Sequence, residues 1–163
     1  MKISDASRNI LPDANYNCDS VNTLMIAGFW QDAISICVTL VDYKKLCHAF
    51  ISLMAPHTET QDEKALLSLI NEWASNPRDE VRREIFARAE DIGFSSASAM
   101  FSLAVFWSQG SMTPHGVEDV YPDKGLAVMM VGYAFQQLTL LRCGDHPPEL
   151  AAQEIINTLT LKE

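Results

Sequence analysis

Apolar residues recur three and four positions apart along most of the chain, and stretches that alternate apolar with polar are scarce. From Ser20 the sequence turns apolar. Val21, Leu24 and Met25 share a helical face, and Gly28 ends that segment. Trp30 to Val41 carries Ala33, Ile34, Cys37, Val38 and Val41 on one stripe. Asp42 predicts an N-cap for a helix from Tyr43 to Met54, with Leu46, Cys47, Phe50, Ile51 and Met54 inward, and Pro56 stops it. Thr60 and Glu63 have the spacing of a capping box ahead of Leu66, Leu67, Ile70, Trp73 and Ala74.

Asn76-Pro77 predicts the next helix start, with Val81, Ile85, Ala89 and Ile92 inward and Gly93 at the end. Its outer face pairs Asp79 with Arg83 and Glu84 with Arg88, acid before base at four-residue spacing. Ser95 or Ser96 caps a helix through Met100 and Leu103 to Trp107 that holds no charged residue, which implies cover on most sides. Ser108 to Asp123 breaks the pattern with Gly110, Pro114, Gly116 and Pro122, the longest irregular stretch inside the domain. Asp123 predicts the cap of a long helix to about Cys143, closed by Gly144 and uncharged from Gly125 to Leu141. That run falls short of the roughly 20 residues a membrane span needs. It also contains Gly132, Gln136, Gln137 and Thr139, so it is read as a core helix. Pro147-Pro148 opens a last amphipathic helix with Leu150, Ile155, Leu159 and Leu161.

The expected fold is therefore all-α: a single-domain bundle of about seven helices around two apolar central helices. Residues 20–163 form the expected helical domain. Residues 1–19, which contain Pro12, are expected to be an irregular N-terminal arm.

Composition changes this picture little but excludes some functions. The chain has 163 residues, 48% hydrophobic and 20% charged, which suits a packed domain rather than disorder. Its net charge is -9, and the densest basic group, Arg78, Arg82, Arg83 and Arg88, is matched by neighbouring acids. Nucleic acid and anionic membrane are excluded as partners on that ground, whereas a basic protein surface fits. Cys18, Cys37, Cys47 and Cys143 include no CxxC pair; Cys37, Cys47 and Cys143 sit among apolar neighbours and are read as reduced core thiols. No apolar h-region follows the first basic residue, so the expected compartment is the cytoplasm.

Candidate chemistry is sparse. Cys47-His48 is the one close soft pair, and adjacent helical residues point apart. His115, Glu118, Asp119 and Asp123 lie close together in the long loop, where a solvated acidic loop competes with a metal site or a hydrolytic centre. No GxSxG, P-loop or GxGxxG pattern occurs. No enzyme activity, cofactor or metal is expected. Phe29-Trp30 at a helix boundary is a candidate surface anchor for a partner, or a hydrophobic staple.

Ala89-Glu90-Asp91-Ile92-Gly93-Phe94, followed by Phe101 through Phe106-Trp107-Ser108-Gln109-Gly110-Ser111-Met112-Thr113-Pro114, resembles an uncharacterised family of small bacterial helical proteins. In that family an alanine-rich helix ends in a Phe-Trp-Ser-x-Gly-Ser motif, then a proline-rich loop, then a long apolar helix. Here the loop is Pro114 to Pro122 and the helix Leu126 to Leu141, and Ala27-Gly28-Phe29-Trp30 with Ala33 resembles the N-terminal half. The resemblance implies an association with type VI secretion gene clusters and supplies no catalytic residues. The motif also has a physical meaning of its own. Phe106 and Trp107 can anchor the loop, Gly110 can take a positive φ, and Ser108 or Ser111 can satisfy loose backbone groups.

These strands lead to one expectation: a non-enzymatic adaptor or chaperone-like accessory that binds a secretion component or effector with a basic surface. The expected contact residues are Phe29, Trp30, Trp107, Ser108, Gly110, Ser111, Met112, Pro114 and His115. The alternatives are a small-molecule or lipid binder with a pocket around Met100, Met129 and Tyr133, and a cytoplasmic immunity protein. Oligomeric state stays open.

Overall fold

The structure, a computed structural model, describes residues 3–11, 13 and 15–161. It is all-helical, and no strand occurs among the described residues. Among the described residues nine α-helices follow one another: α1 (Asp5–Ile10), α2 (Cys18–Ile26), α3 (Trp30–Cys37), α4 (Tyr43–Met54), α5 (Gln61–Ser75), α6 (Asp79–Ile92), α7 (Ala97–Ser108), α8 (Leu126–Cys143) and α9 (Pro148–Thr160). Short 3-10 turns at Val38–Leu40 and Ala55–His57 continue α3 and α4.

Helix boundaries follow their capping chemistry. Asp42, Thr60 and Ser96 accept the amides of Lys45, Glu63 and Ala99, as the sequence predicts. Gly93 closes α6 at φ 89°. Three starts differ from expectation. The carboxylate of Glu63 does not complete a capping box; it accepts from the hydroxyls of Thr60 and Ser98, tying α5 to α7. Asn76 ends α5 by donating its amide to the Glu72 carbonyl, so α6 begins at Asp79 with Arg78 in the N-cap place. Gly125, at φ 88°, is the N-cap of α8, and Asp123 lends only its backbone carbonyl to the Leu126 amide.

The expected irregular arm also differs. Ser4 caps α1, and Ile3 and Ser7 are buried. Asp32 of α3 accepts from the Ser4 amide at 3.1 Å and from the hydroxyls of Ser4 and Ser7, each at 2.6 Å. This tether fastens α1 to the body. Pro12 lies outside the described residues.

The core centres on an aromatic cluster. Phe50 stacks on Phe101 at 4.2 Å, and Phe135 meets both edge-on. Tyr43 bridges from Phe101 to Trp73. Around it the inward stripes of α4, α5 and α6 fall where periodicity puts them, with Leu46, Phe50, Leu66, Ile70 and Ile85 buried. In α9 the buried residues are Ala151, Ala152, Ile155, Ile156 and Leu159, while Leu150 and Leu161 face solvent, contrary to expectation.

α7 and α8 pack most extensively against each other. Their surroundings differ. α7 buries eight residues, among them Phe101, Ala104, Val105 and Phe106. α8 buries Val131, Gly132, Ala134, Phe135, Leu138 and Thr139 and leaves its opposite face open. By length and composition α8 is apolar enough to cross a membrane, and a third of it is buried.

A clamped loop as the candidate functional site

The α7–α8 loop is built around an arginine. Arg82 lies one turn before Ile85 on the inner face of α6, and its side chain is fully buried. Its guanidinium donates to the Phe106 carbonyl at 2.6 Å and to the Ser111 carbonyl at 2.8 Å. It also donates twice to one oxygen of Asp79, at 2.8 and 2.6 Å. The same group lies 4.6 Å from the Phe106 ring centroid, a cation–π distance. Phe106 in turn stacks on Phe86 at 4.4 Å, and Phe86 meets Phe94. A buried charge is tolerated only when paired and hydrogen-bonded. Here the helix end, the loop and one carboxylate meet that demand together.

Gly110 is required twice over. Its φ is 75°, and an added Cβ would sit 2.9 Å from an Arg82 Nη. Ser111 then closes the loop. Its backbone carbonyl accepts from Arg82 and, at 3.3 Å, from Arg83. Its hydroxyl accepts from the amides of Thr113 and Val120 at 3.2 and 3.1 Å. The Met112 amide donates to the Val120 carbonyl at 2.7 Å, and the Thr113 hydroxyl to the Glu118 carbonyl at 2.8 Å. Two layers of bonds thus pin both ends of the segment from Ser111 to Val120. The loop has no regular secondary structure yet carries the backbone satisfaction of an Ω-loop.

Asp79 organises the outside of the clamp. Burial pushes its carboxyl upward, but hydrogen bonds from Arg83 and Arg82, with their charges, outweigh this and hold it below the usual carboxylate range. His115 reaches the same carboxylate at 3.3 Å from the loop side. Beyond the clamp the loop is exposed: Val117, Val120 and Tyr121 face solvent beside Glu118, Asp119 and Asp123.

The expected contact residues therefore divide. Gly110, Ser111, Met112, Pro114 and His115 come together in the loop, with Ser111 buried and Pro114 and His115 exposed. Ser108 donates back to the Val105 carbonyl at the end of α7, and Trp107 is half-buried beside it. Trp30 is buried at the start of α3, and Phe29 is half-buried and packs against the core. Met129 and Tyr133, expected to line an interior pocket, are exposed. No group of three or more histidine, cysteine, aspartate or glutamate side chains comes together among the described residues. Cys37 and Cys47 are buried, and burial pushes both thiols up to about 12, helped by Cys18 and Asp42 respectively. Cys143 is half-exposed rather than in the core.

Arg82 is the residue sequence reasoning missed. Its signal was present, because Arg82 stands three before Ile85 and seven before Ala89 on the buried stripe. A charge in that register has to find partners inside the protein.

Taken together, these features define an all-helical protein whose long α7–α8 loop is locked to a buried arginine. The chain belongs to the family of unknown function DUF6931, whose model matches residues 20–158. No curated protein and no solved structure matches the chain.

Proposed function

We propose that this protein is a non-enzymatic, protein-binding accessory of a bacterial secretion system of the type VI kind, acting in the cytoplasm as an adaptor or chaperone-like factor. The observation that carries the binding role is the Arg82 clamp. It holds Gly110 and Ser111 rigidly while leaving Val117, Val120 and Tyr121 in solvent. A loop ordered before it meets a partner loses less entropy on binding, which favours recognition. Its exposed acids, and a net charge of -9, favour a partner with a basic surface and speed the encounter at low salt. The link to secretion rests on the family resemblance of the motif.

The test is affinity capture from the bacterium that makes the protein, alongside deletion of its gene. A secretion component is expected on the wild-type protein, with reduced recovery on Ser111→Ala and impaired secretion in the deletion strain. Recovery of no secretion component together with unchanged secretion would overturn this proposal.

A second reading has one observation behind it. A shallow apolar depression of about 500 Å³ lies between α4 and α5, lined by Ile51, Ala55, Leu67 and the amine-bearing Lys64. That lining suits an amphiphile with an acidic head. Native mass spectrometry checks it: a bound carboxylate amphiphile lost on Lys64→Glu favours a small-molecule role, and a ligand-free mass removes it.

A further inference from the structure

We infer that the outer face of α8 and the clamped loop form one continuous docking strip, and that its occupant is an amphipathic helix of another protein with an apolar face and lysine or arginine at its ends. The inference rests on the protein-binding reading above and adds the surface and the chemistry of the partner.

Met129, Tyr133, Leu140 and Leu141 are exposed at helical spacing along α8. Gly125, the N-cap of α8, joins the helix to the loop that presents Val120 and Tyr121. Toward its C-terminal half the strip borders a groove of about 480 Å³, lined by Met54, Ala97, Leu140 and Leu141 together with the polar His57 and Gln137. Such a groove takes the anchor side chains of a helix laid along α8.

Charge selects among possible occupants. The strip carries no charged residue from Leu126 to Leu141. At its start stand Glu118, Asp119 and Asp123 against Lys124, and past its end stand Asp145 and Glu149. Glu59 and Glu63 are the charged residues in the groove's lining. Arg142, at the end of α8, is already engaged by the Leu53 carbonyl and Glu154. In a second copy of this chain acidic ends would meet acidic ends in either orientation, and an anionic bilayer would be repelled likewise. A helix with an apolar centre and basic ends satisfies both parts of the strip.

The test places photoreactive benzoylphenylalanine in place of Tyr133 or Tyr121 in the full chain, inside the cells that make it, and identifies the captured segment by mass spectrometry. Both positions are exposed, so folding is retained. The expected result is one partner captured from both positions, with the Tyr133 position attached to a segment that is amphipathic and flanked by lysine or arginine. A synthetic peptide of that segment should then bind at least about tenfold more weakly to Leu140→Asp and to the pair Glu118→Lys, Asp119→Lys, and more weakly still as salt rises. Capture of a second copy, of lipid, or of a neutral or acidic segment at position 133 would overturn the inference. Capture at position 121 with none at 133 would overturn it while leaving the loop reading standing. No capture at either position would remove both.

Discussion

α6 and α8 are both long helices, 14 and 18 residues, yet they treat solvent in opposite ways. The outer face of α6 is dense with charge: Glu80, Glu84, Arg88, Glu90 and Asp91 are exposed, and Arg88 bonds to Glu84 at 3.0 Å. The outer face of α8 shows Met129, Tyr133, Leu140 and Leu141. On the inside the contrast persists. α6 sends a charged side chain, Arg82, into the core, whereas α8 sends Val131, Phe135 and Leu138. Charge separates the two helices: α6 carries it on both faces, whereas α8 carries none from Leu126 to Leu141.

The comparison breaks first, and hardest, at Arg82. Arg82→Ala leaves the Phe106 carbonyl without its donor, leaves the Ser111 carbonyl to the longer bond from Arg83 and the Asp79 carboxylate to Arg83 and His115, and empties a buried volume; the expected loss is about 3–5 kcal/mol of stability, seen as a lower urea midpoint. Gly110→Ala forces a side chain into a positive φ and against the guanidinium, for an expected loss of about 1–3 kcal/mol in the same assay. Acid is the next lever. The folded Asp79 carboxyl titrates below its unfolded value, so its contribution is present above the ordinary carboxylate range and is lost as pH falls through the lowered folded value. Urea midpoints measured down the acid range should fall less steeply in Asp79→Asn than in the wild type. The smallest effects sharpen the contrast between outer faces. Arg88→Ala on α6 and Tyr133→Gln on α8 should each move stability by no more than about 0.5 kcal/mol. Only the α8 substitution should change retention on a hydrophobic-interaction column.

Local chemistry made most of the helices legible. The caps at Asp42, Thr60 and Ser96 act within three residues, and the inward stripes of α4 to α6 repeat within a turn, so neighbours in sequence suffice to read them. The loop was legible at Gly110 and Ser111, because a glycine after an aromatic helix end states its own geometry. What lay beyond reach was long-range. Arg82 and Ser111 meet across 29 positions, and Asp32 is held by Ser4 and Ser7 from more than 20 positions away. α8 misled for a different reason: an uncharged helix looks the same in sequence whether water or protein covers its second face. At the Phe29-Trp30 corner the sequence left a surface anchor and a hydrophobic staple equally open, because burial of Trp30 depends on what packs over it.

The Asp32 tether sets where the chain can be trimmed. The family match begins at residue 20, and a fragment cut there keeps every matched position. It also loses three donors to one carboxylate and uncovers the site that Ile3 and Ser7 close. Expression of the shorter piece should yield less material and stickier material than the whole chain, so the boundary drawn by kinship is narrower than the boundary drawn by packing.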